Sequence, residues 1–459
     1  MDEAARILNK TLVPLLSNYL PFFITVLLGW IIVTKYYSDD KNQKHETSAV
    51  QKERKKDVQG QQLHQQQNQA QKAKKKQPSA DKWQRGKNTF SHDWLMTSLK
   101  GHGGTILDMD FSANGKFLAT CGDDRTIFIW TTKSWKDKTH QNVRYNVEYD
   151  HASVIRWSPD SKAFVYNRAT DNQLDVCKIQ KKPDGKVLSV TKSTSFPKAH
   201  KDDVIGLGIS VSGKFMMTCS SATEIAVWDL KGNELHRFDS YLINNYTGKV
   251  SPCGNFIAVS GFAPDVKLWE VCFQKTGEFK QVNPVLQLKG HESGVFDFSF
   301  NADSTQVATI SKHGCWRLFN IKVEYNQGEE PKLIKSGKIK CDDSTKASIA
   351  LSPDGQVIAV GSKDSLTLVN VMTGAVDKVI QNIYSGGIQK VAFDAAGEYV
   401  LTCGERHVHI FHNVTGRRAA IAASKEKLSK SGLSTLTKER LEGIIKTSRE
   451  FLESMNEPC

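Results

Sequence analysis

A chain of 459 residues can hold one large domain with appendages. Its 62 Lys and Arg against 49 Asp and Glu leave a formal charge of +13, yet residues 41–82 alone carry eleven of the basic and only four of the acidic side chains, so over half of the excess lies in one segment. The nine cysteines form no Cys-x-x-Cys pair, which removes support for a zinc cluster or a thioredoxin-type site and fits free thiols in a reducing compartment.

Residues 1–10 read as a short tail. Residues 11–34 (TLVPLLSNYLPFFITVLLGWIIVT) lie in a window with no charge between Lys10 and Lys35. As a helix they reach about 36 Å, enough for a hydrocarbon core of about 30 Å. Trp30, Tyr36 and Tyr37 suit the interfacial belt, and Val33-Thr34-Lys35 lacks the small-x-small pattern of a cleaved signal. A single-pass membrane anchor is expected. Lys35, Lys41, Lys44, Lys52, Arg54, Lys55 and Lys56 follow it, against Arg6 and Lys10 before it. The positive-inside rule then places the bulk of the chain in the cytosol. The sequons at Asn245 and Asn413 offer a check, since a lumenal domain would carry glycan there.

Residues 35–88 form a Gln/Lys-rich linker with little to bury, including QQLHQQQNQAQ. Its basic clusters, Lys52, Arg54, Lys55 and Lys56, then Lys74, Lys75 and Lys76, admit three readings. They are a merely solvated spacer, a patch drawn to an anionic leaflet, or a nucleic-acid or nuclear-targeting contact.

From residue 89 the pattern changes. Thr89–Leu99 reads as a strand, and the stretch after it opens on Gly101-His102 and closes on Trp130, with three short apolar runs separated by Asn114-Gly115 and Asp123-Asp124 turns. Its central hydrophobic–turn–hydrophobic unit recurs from Phe111, Trp157, Ile209, Val250, Phe300, Leu351 and Phe393, at intervals of 41 to 52 residues. Each unit ends on an apolar residue: Trp130, Val176, Trp228, Trp269, Phe319, Val369 and Phe411. One such unit cannot bury its own faces, so seven should close into a ring.

The Gly-His opening, tryptophan close and repeat length resemble the WD40-repeat family. The resemblance implies an all-β, seven-bladed WD40 β-propeller over 89–420, with the 89–99 strand closing the ring beside 406–413. It also assigns His102, Thr120, Asp124 and Trp130 to a structural hydrogen-bond tetrad, in which a buried imidazole and indole find a hydroxyl and a carboxylate. Two repeats keep parts of it: His200, Thr218 and Trp228 with Ala222 in the acid's place, and His291 and Thr309 with His313 and Phe319 for the acid and indole. Lower stability is expected in blades without a Gly-His.

No phosphate-binding, metalloprotease or nucleophile-elbow motif is present. His407, His409 and His412 sit close together, but a pair on one strand face is commonly a satisfied histidine pair. No enzyme activity, cofactor or metal is expected. Residues 421–459 read as a C-terminal amphipathic helix through Leu433, Leu436, Leu441, Ile444, Ile445, Phe451 and Leu452, docking on the propeller or on a partner.

The layout resembles WD40 proteins held at the endoplasmic reticulum by an N-terminal anchor. That resemblance implies a scaffold with its propeller in the cytosol, associated with a membrane-bound ER-stress kinase and supporting the unfolded protein response and stress-dependent translation. The alternative is an RNA- or ribosome-associated propeller using the basic linker, with nucleic acid met through translation complexes. A lumenal receptor is the third option.

Overall fold

The computed structural model describes residues 90–341, 346–430 and 432–458. The expected anchor at 11–34 and the basic linker, from Lys52 to Lys76, lie outside them. Among the described residues, no helix is long and apolar enough to cross a membrane.

Seven four-stranded antiparallel sheets follow one another along the chain. Blade one, for example, uses Ile106–Phe111, Phe117–Gly122, Thr126–Thr131 and Asn142–Asn146, from the inner strand outward. Second and third strands are buried throughout or nearly so, because each is sandwiched between neighbouring blades; hence runs such as FLATCG and VIAVGS. Outer strands face solvent on part of their surface and read as mixtures, such as NVRYN. The inner-to-second turns repeat one device. In blade one, Ser112 Oγ accepts from Phe117 N at 3.0 Å and donates to Asn114 Oδ1 at 2.8 Å. Gly115 then takes the left-handed backbone (φ 65°) the turn demands.

The ring closes as the sequence leads one to expect. Leu95–Lys100 pairs antiparallel with His407–His412 and becomes the outer strand of blade seven. There is no single central core. Seven apolar clusters sit one at each junction between blades, built by residues such as Phe117, Ile155 and Trp157 between blades one and two. Where the inner strands of blades three and four approach most closely, glycine is required: a Cβ on Gly206 would lie 2.7 Å from the Gly248 carbonyl oxygen. Residues 88–459 form a compact unit that contains every strand and every junction of the ring.

Two details differ from the sequence reading. In blade two the residue facing the inter-blade core at the tryptophan position is Cys177, paired with Phe164, not Val176. The tail begins at Val414, directly after the last strand, and holds two helices, α1 (Val414–Leu428) and α2 (Thr435–Ser454), where one within 421–459 was expected. Asn413 caps α1 by accepting from Gly416 N at 2.9 Å, and Ser434 caps α2. α1 ends at Leu428 with Ser429 as its C-cap, and Gly432, at φ 92°, lies before the Ser434 cap of α2. Both helices dock on their own ring. Val414, Ala419, Ile421 and Leu452 join Trp94, Leu366 and Leu368 in the junction of blades six and seven.

Candidate functional site

Loops into the inner strands and the second-to-third turns share one face of the ring, here the upper face; the alternate turns share the lower face. Each of the histidines of the WD40 tetrads stands on the upper face.

In blade one, His102 Nε2 lies 2.9 Å from Thr120 Oγ1, which accepts from Trp130 Nε1 at 3.0 Å, while His102 Nδ1 meets Asp124 Oδ1 at 3.1 Å. Asp124 also accepts from Gly103 N at 2.6 Å and Thr126 Oγ1 at 2.6 Å. Burial depresses the imidazole's pKa and outweighs the carboxylate, so at neutral pH the set is a satisfied latch between loop and sheet, with no hydroxyl free to attack.

Blade three keeps the arrangement with one exchange. His200 and Trp228 both bond Thr218 Oγ1 at 2.8 Å, and Glu224, two residues beyond Ala222, reaches His200 Nδ1 at 3.1 Å. The longer acid supplies from a later position what aspartate supplies in blade one. Arg237 then ties Glu224 to Glu234. In blade five, His291 Nε2 bonds Thr309 Oγ1 at 2.7 Å, but its buried Nδ1 has no hydrogen-bond partner. Burial, with Arg317 nearby, lowers its pKa to about 4.

Sequence reasoning found no latch in blade seven because it searched for histidine. Tyr384 stands 18 residues before Thr402, the spacing of His102 and Thr120. Its hydroxyl lies 2.8 Å from the Thr402 carbonyl and 3.0 Å from that of His407. The spacing was the available signal. The three nearby histidines are otherwise engaged: His409 Nδ1 bonds Ser98 Oγ at 2.7 Å, His407 stacks on His409, and His412 packs on Phe451 of α2. Among the described residues no group of three or more His, Cys, Asp or Glu is placed to hold a metal ion.

The inner strands carry charges that the sequence reading passed over. Asp108 on blade one pairs with Arg156 of blade two at 2.5 Å and with Lys390 of blade seven, and accepts from Ile155 N at 3.0 Å. Burial works to raise its pKa, but the two cations outweigh that and hold it below the usual carboxylate range. At the same register of blade five, Asp297 pairs with Lys249 of blade four at 2.6 Å and accepts from Ser348 Oγ and Ile349 N of blade six. Each aspartate therefore clamps three consecutive blades. Their cationic partners Arg156, Lys249 and Lys390 line an axial cavity of about 550 Å³ opening on the lower face, together with Trp157, Phe300 and Asp110. Asp110 accepts from Trp157 N at 2.8 Å, and its burial raises its pKa.

The upper face has a different character. Tyr149 (94 % exposed), Tyr241 (79 %), Ile243 (66 %) and Phe262 (55 %) stand out in solvent. The first three hold left-handed backbone, at φ 59°, 54° and 70°. For a β-branched isoleucine this is an outlier costing about 1–3 kcal/mol. The Phe262 turn is pinned to the Ile243 loop, since Phe262 N donates to Asn244 O at 2.8 Å and Ala263 N to Leu242 O at 3.2 Å. Lys267 Nζ sits 5.6 Å from the Tyr241 ring centroid. Two turns that carry exposed side chains, one with Tyr241 and Ile243 and one with Phe262, are thus tied together beside blade four.

Asn245 and Asn413, the two sequons, are buried and hydrogen-bonded, one to Ser240 and the Ser220 carbonyl, the other as the α1 cap. The glycan check is therefore void, because neither amide is accessible in the folded ring. Among the described residues, Cys121, Cys177, Cys219 and Cys403 are buried free thiols.

The family profile for the WD domain, G-beta repeat matches residues 94–131 and 282–320. Each match runs from an outer strand into the third strand of the next blade and contains one of the Gly-His openings. Over 369 residues, 80% of this chain and 82% of the relative, the sequence is 41% identical to transducin beta-like protein 2 of Homo sapiens. The chain belongs to that family of WD40 proteins. The Mus musculus protein of the same name is 39% identical over 368 residues, covering 80% of this chain and 83% of its own length. A p21-activated protein kinase-interacting protein 1-like chain of Gallus gallus is 21% identical over 245 residues, 53% of this chain and 60% of that one. WD40 rings of this kind are in general non-catalytic scaffolds that bind proteins.

Proposed function

We propose that this member of the family is a non-enzymatic scaffold held at the endoplasmic reticulum membrane by residues 11–34, with its ring in the cytosol. It docks protein partners on the two tied turns that carry Tyr241, Ile243 and Phe262. The observation that carries the docking face is Ile243: an exposed apolar side chain on a strained backbone, pinned to a second exposed aromatic, is costly to keep without a binding role. The cytosolic placement is supported by the free cysteines and by the basic residues after the apolar segment. Likeness to the anchored members of the family adds a membrane-bound ER-stress kinase as the partner and stress-dependent translation as the process served.

Confinement to a membrane raises the effective concentration of the ring near other membrane proteins without adding a contact. Proximity labelling by a ring-fused labelling enzyme, with and without residues 1–40, tests this. ER-membrane proteins, the kinase among them, should dominate with the full chain and fade on deletion. A Tyr241→Ser, Phe262→Ser ring should lose the kinase while staying at the membrane. An unchanged set of labelled proteins after both changes defeats the reading. Labelling dominated by ribosomal proteins, with steep salt dependence that vanishes on removing 41–82, favours the nucleic-acid alternative.

A further inference from the structure

The rim of the ring is uneven. Leu333 and Ile334 on the outer strand of blade five, Met372 on the following blade's third-to-outer turn, and Val376 and Val379 on its outer strand are each more than 40 % exposed. They share one sector, because Lys335 Nζ of blade five reaches the Met372 carbonyl at 2.5 Å. A bulge helps to present them: Lys335 pairs with Leu318 and Leu333 with Phe319, which leaves Ile334 unmatched. The outer strand of blade two exposes one large aliphatic, Leu188, and no cluster of them. Blade one exposes Asn142, Arg144 and Asn146 in the corresponding strand.

The outer strand of blade five is itself basic; Glu329 and Glu330 precede it, and Glu330 already pairs with Lys289 at 3.1 Å. Residues 331–340 (PKLIKSGKIK) contain Lys332, Lys335, Lys338 and Lys340 and no acid. On the blade-six side the acid is Asp377, and Arg418 of α1 already pairs with it at 3.0 Å. Lysines alone have a plain explanation, since they protect an open sheet edge from pairing with another chain. Protection does not explain aliphatic side chains at the positions between them.

We propose that the rim of blades five and six seats against an anionic bilayer surface, its aliphatic residues entering the headgroup boundary and its lysines meeting lipid phosphates. The chemistry favours lipid over a protein partner. Five flexible or branched aliphatics without an aromatic anchor, interleaved with lysines while the neighbouring acids Glu330 and Asp377 are already paired, suit a fluid surface better than a shaped pocket. Seated so, the ring stands edge-on to the membrane and turns both of its faces sideways, accessible to partners in the plane. The proposal does not depend on residues 11–34, and it is tested without them.

The compact unit 88–459 is sedimented with vesicles of phosphatidylcholine alone and of phosphatidylcholine with phosphatidylserine. It should bind the anionic vesicles, more weakly as salt rises, and leave the neutral ones. Ile334→Glu with Val376→Glu, and separately Lys332→Glu with Lys338→Glu, should each weaken binding by about tenfold or more. Val376→Ser, too mild to threaten the fold, should move it in the same direction, and Leu188→Glu on the exposed rim of blade two should leave it unchanged. Absence of binding to anionic vesicles overturns the proposal and leaves the sector to a protein partner. Equal binding by the rim variants also overturns it.

Discussion

Blades one and five start from the same materials. Each has a Gly-His opening, a threonine 18 residues on, and an aspartate at the same register of its inner strand. Blade one completes both devices: His102 has its carboxylate and its indole-bound threonine, and Asp108 holds two cations. Blade five completes neither, leaving His291 Nδ1 without a hydrogen bond and giving Asp297 one cation and a hydroxyl. Both blades fold to the same four strands. The latch is therefore a reinforcement added to a sheet whose shape comes from strand patterning and from packing against its neighbours, and its parts are dispensable one at a time.

The comparison can be broken most directly at the ionic clamps. Asp108→Ala leaves the half-buried Arg156 and Lys390 without their shared partner and should cost about 3 kcal/mol by denaturant unfolding. Asp297→Ala, which strands one ammonium, should cost visibly less; equal losses would mean that the two clamps are equivalent after all. Next come the threonines. Thr120→Val deprives an imidazole and an indole together and should cost about 2–3 kcal/mol, whereas Thr309→Val deprives one imidazole and should cost about 1–2.

Acid should find blade five. His291 is neutral in the ring, with its pKa lowered to about 4 from 6.5, so the unfolded chain binds the extra proton as pH falls. Stability from this group is whole above pH 6.5 and declines between there and pH 4, by about 2 kcal/mol at pH 5. Replacing His291 by Gln should flatten that slope in melts taken from pH 7 to 5, and an unchanged slope would place the acid sensitivity elsewhere. Repair should have the smallest effect. His313→Asp restores the missing acid in blade five and should gain about 0.5–1 kcal/mol while lifting the His291 titration seen by NMR toward neutral pH.

The repeat count could be read from the chain, because it rests on spacing that a strand or a turn imposes locally, whereas the closing strand's partner and the blade-one tetrad followed from the resemblance to the WD40 family. Latches with altered chemistry could not be read by residue type. Glu224 replaces an aspartate from two residues away, and Tyr384 replaces a histidine, each geometry being visible only once the loop lies over the sheet. The clamps at Asp108 and Asp297 were hidden for another reason. Their partners are 47 to 282 residues distant in one case and 48 to 52 in the other, and no local pattern announces them.

Sequence by itself determined the strands, their number and the order in which they stack, since hydrophobic alternation and turn chemistry act within a few residues. Only the closed ring decided which charges neutralise each other across blades, which sequons are buried, and which apolar side chains are left in water. Those outcomes depend on what the neighbouring blade covers, and coverage is a property of the assembled surface.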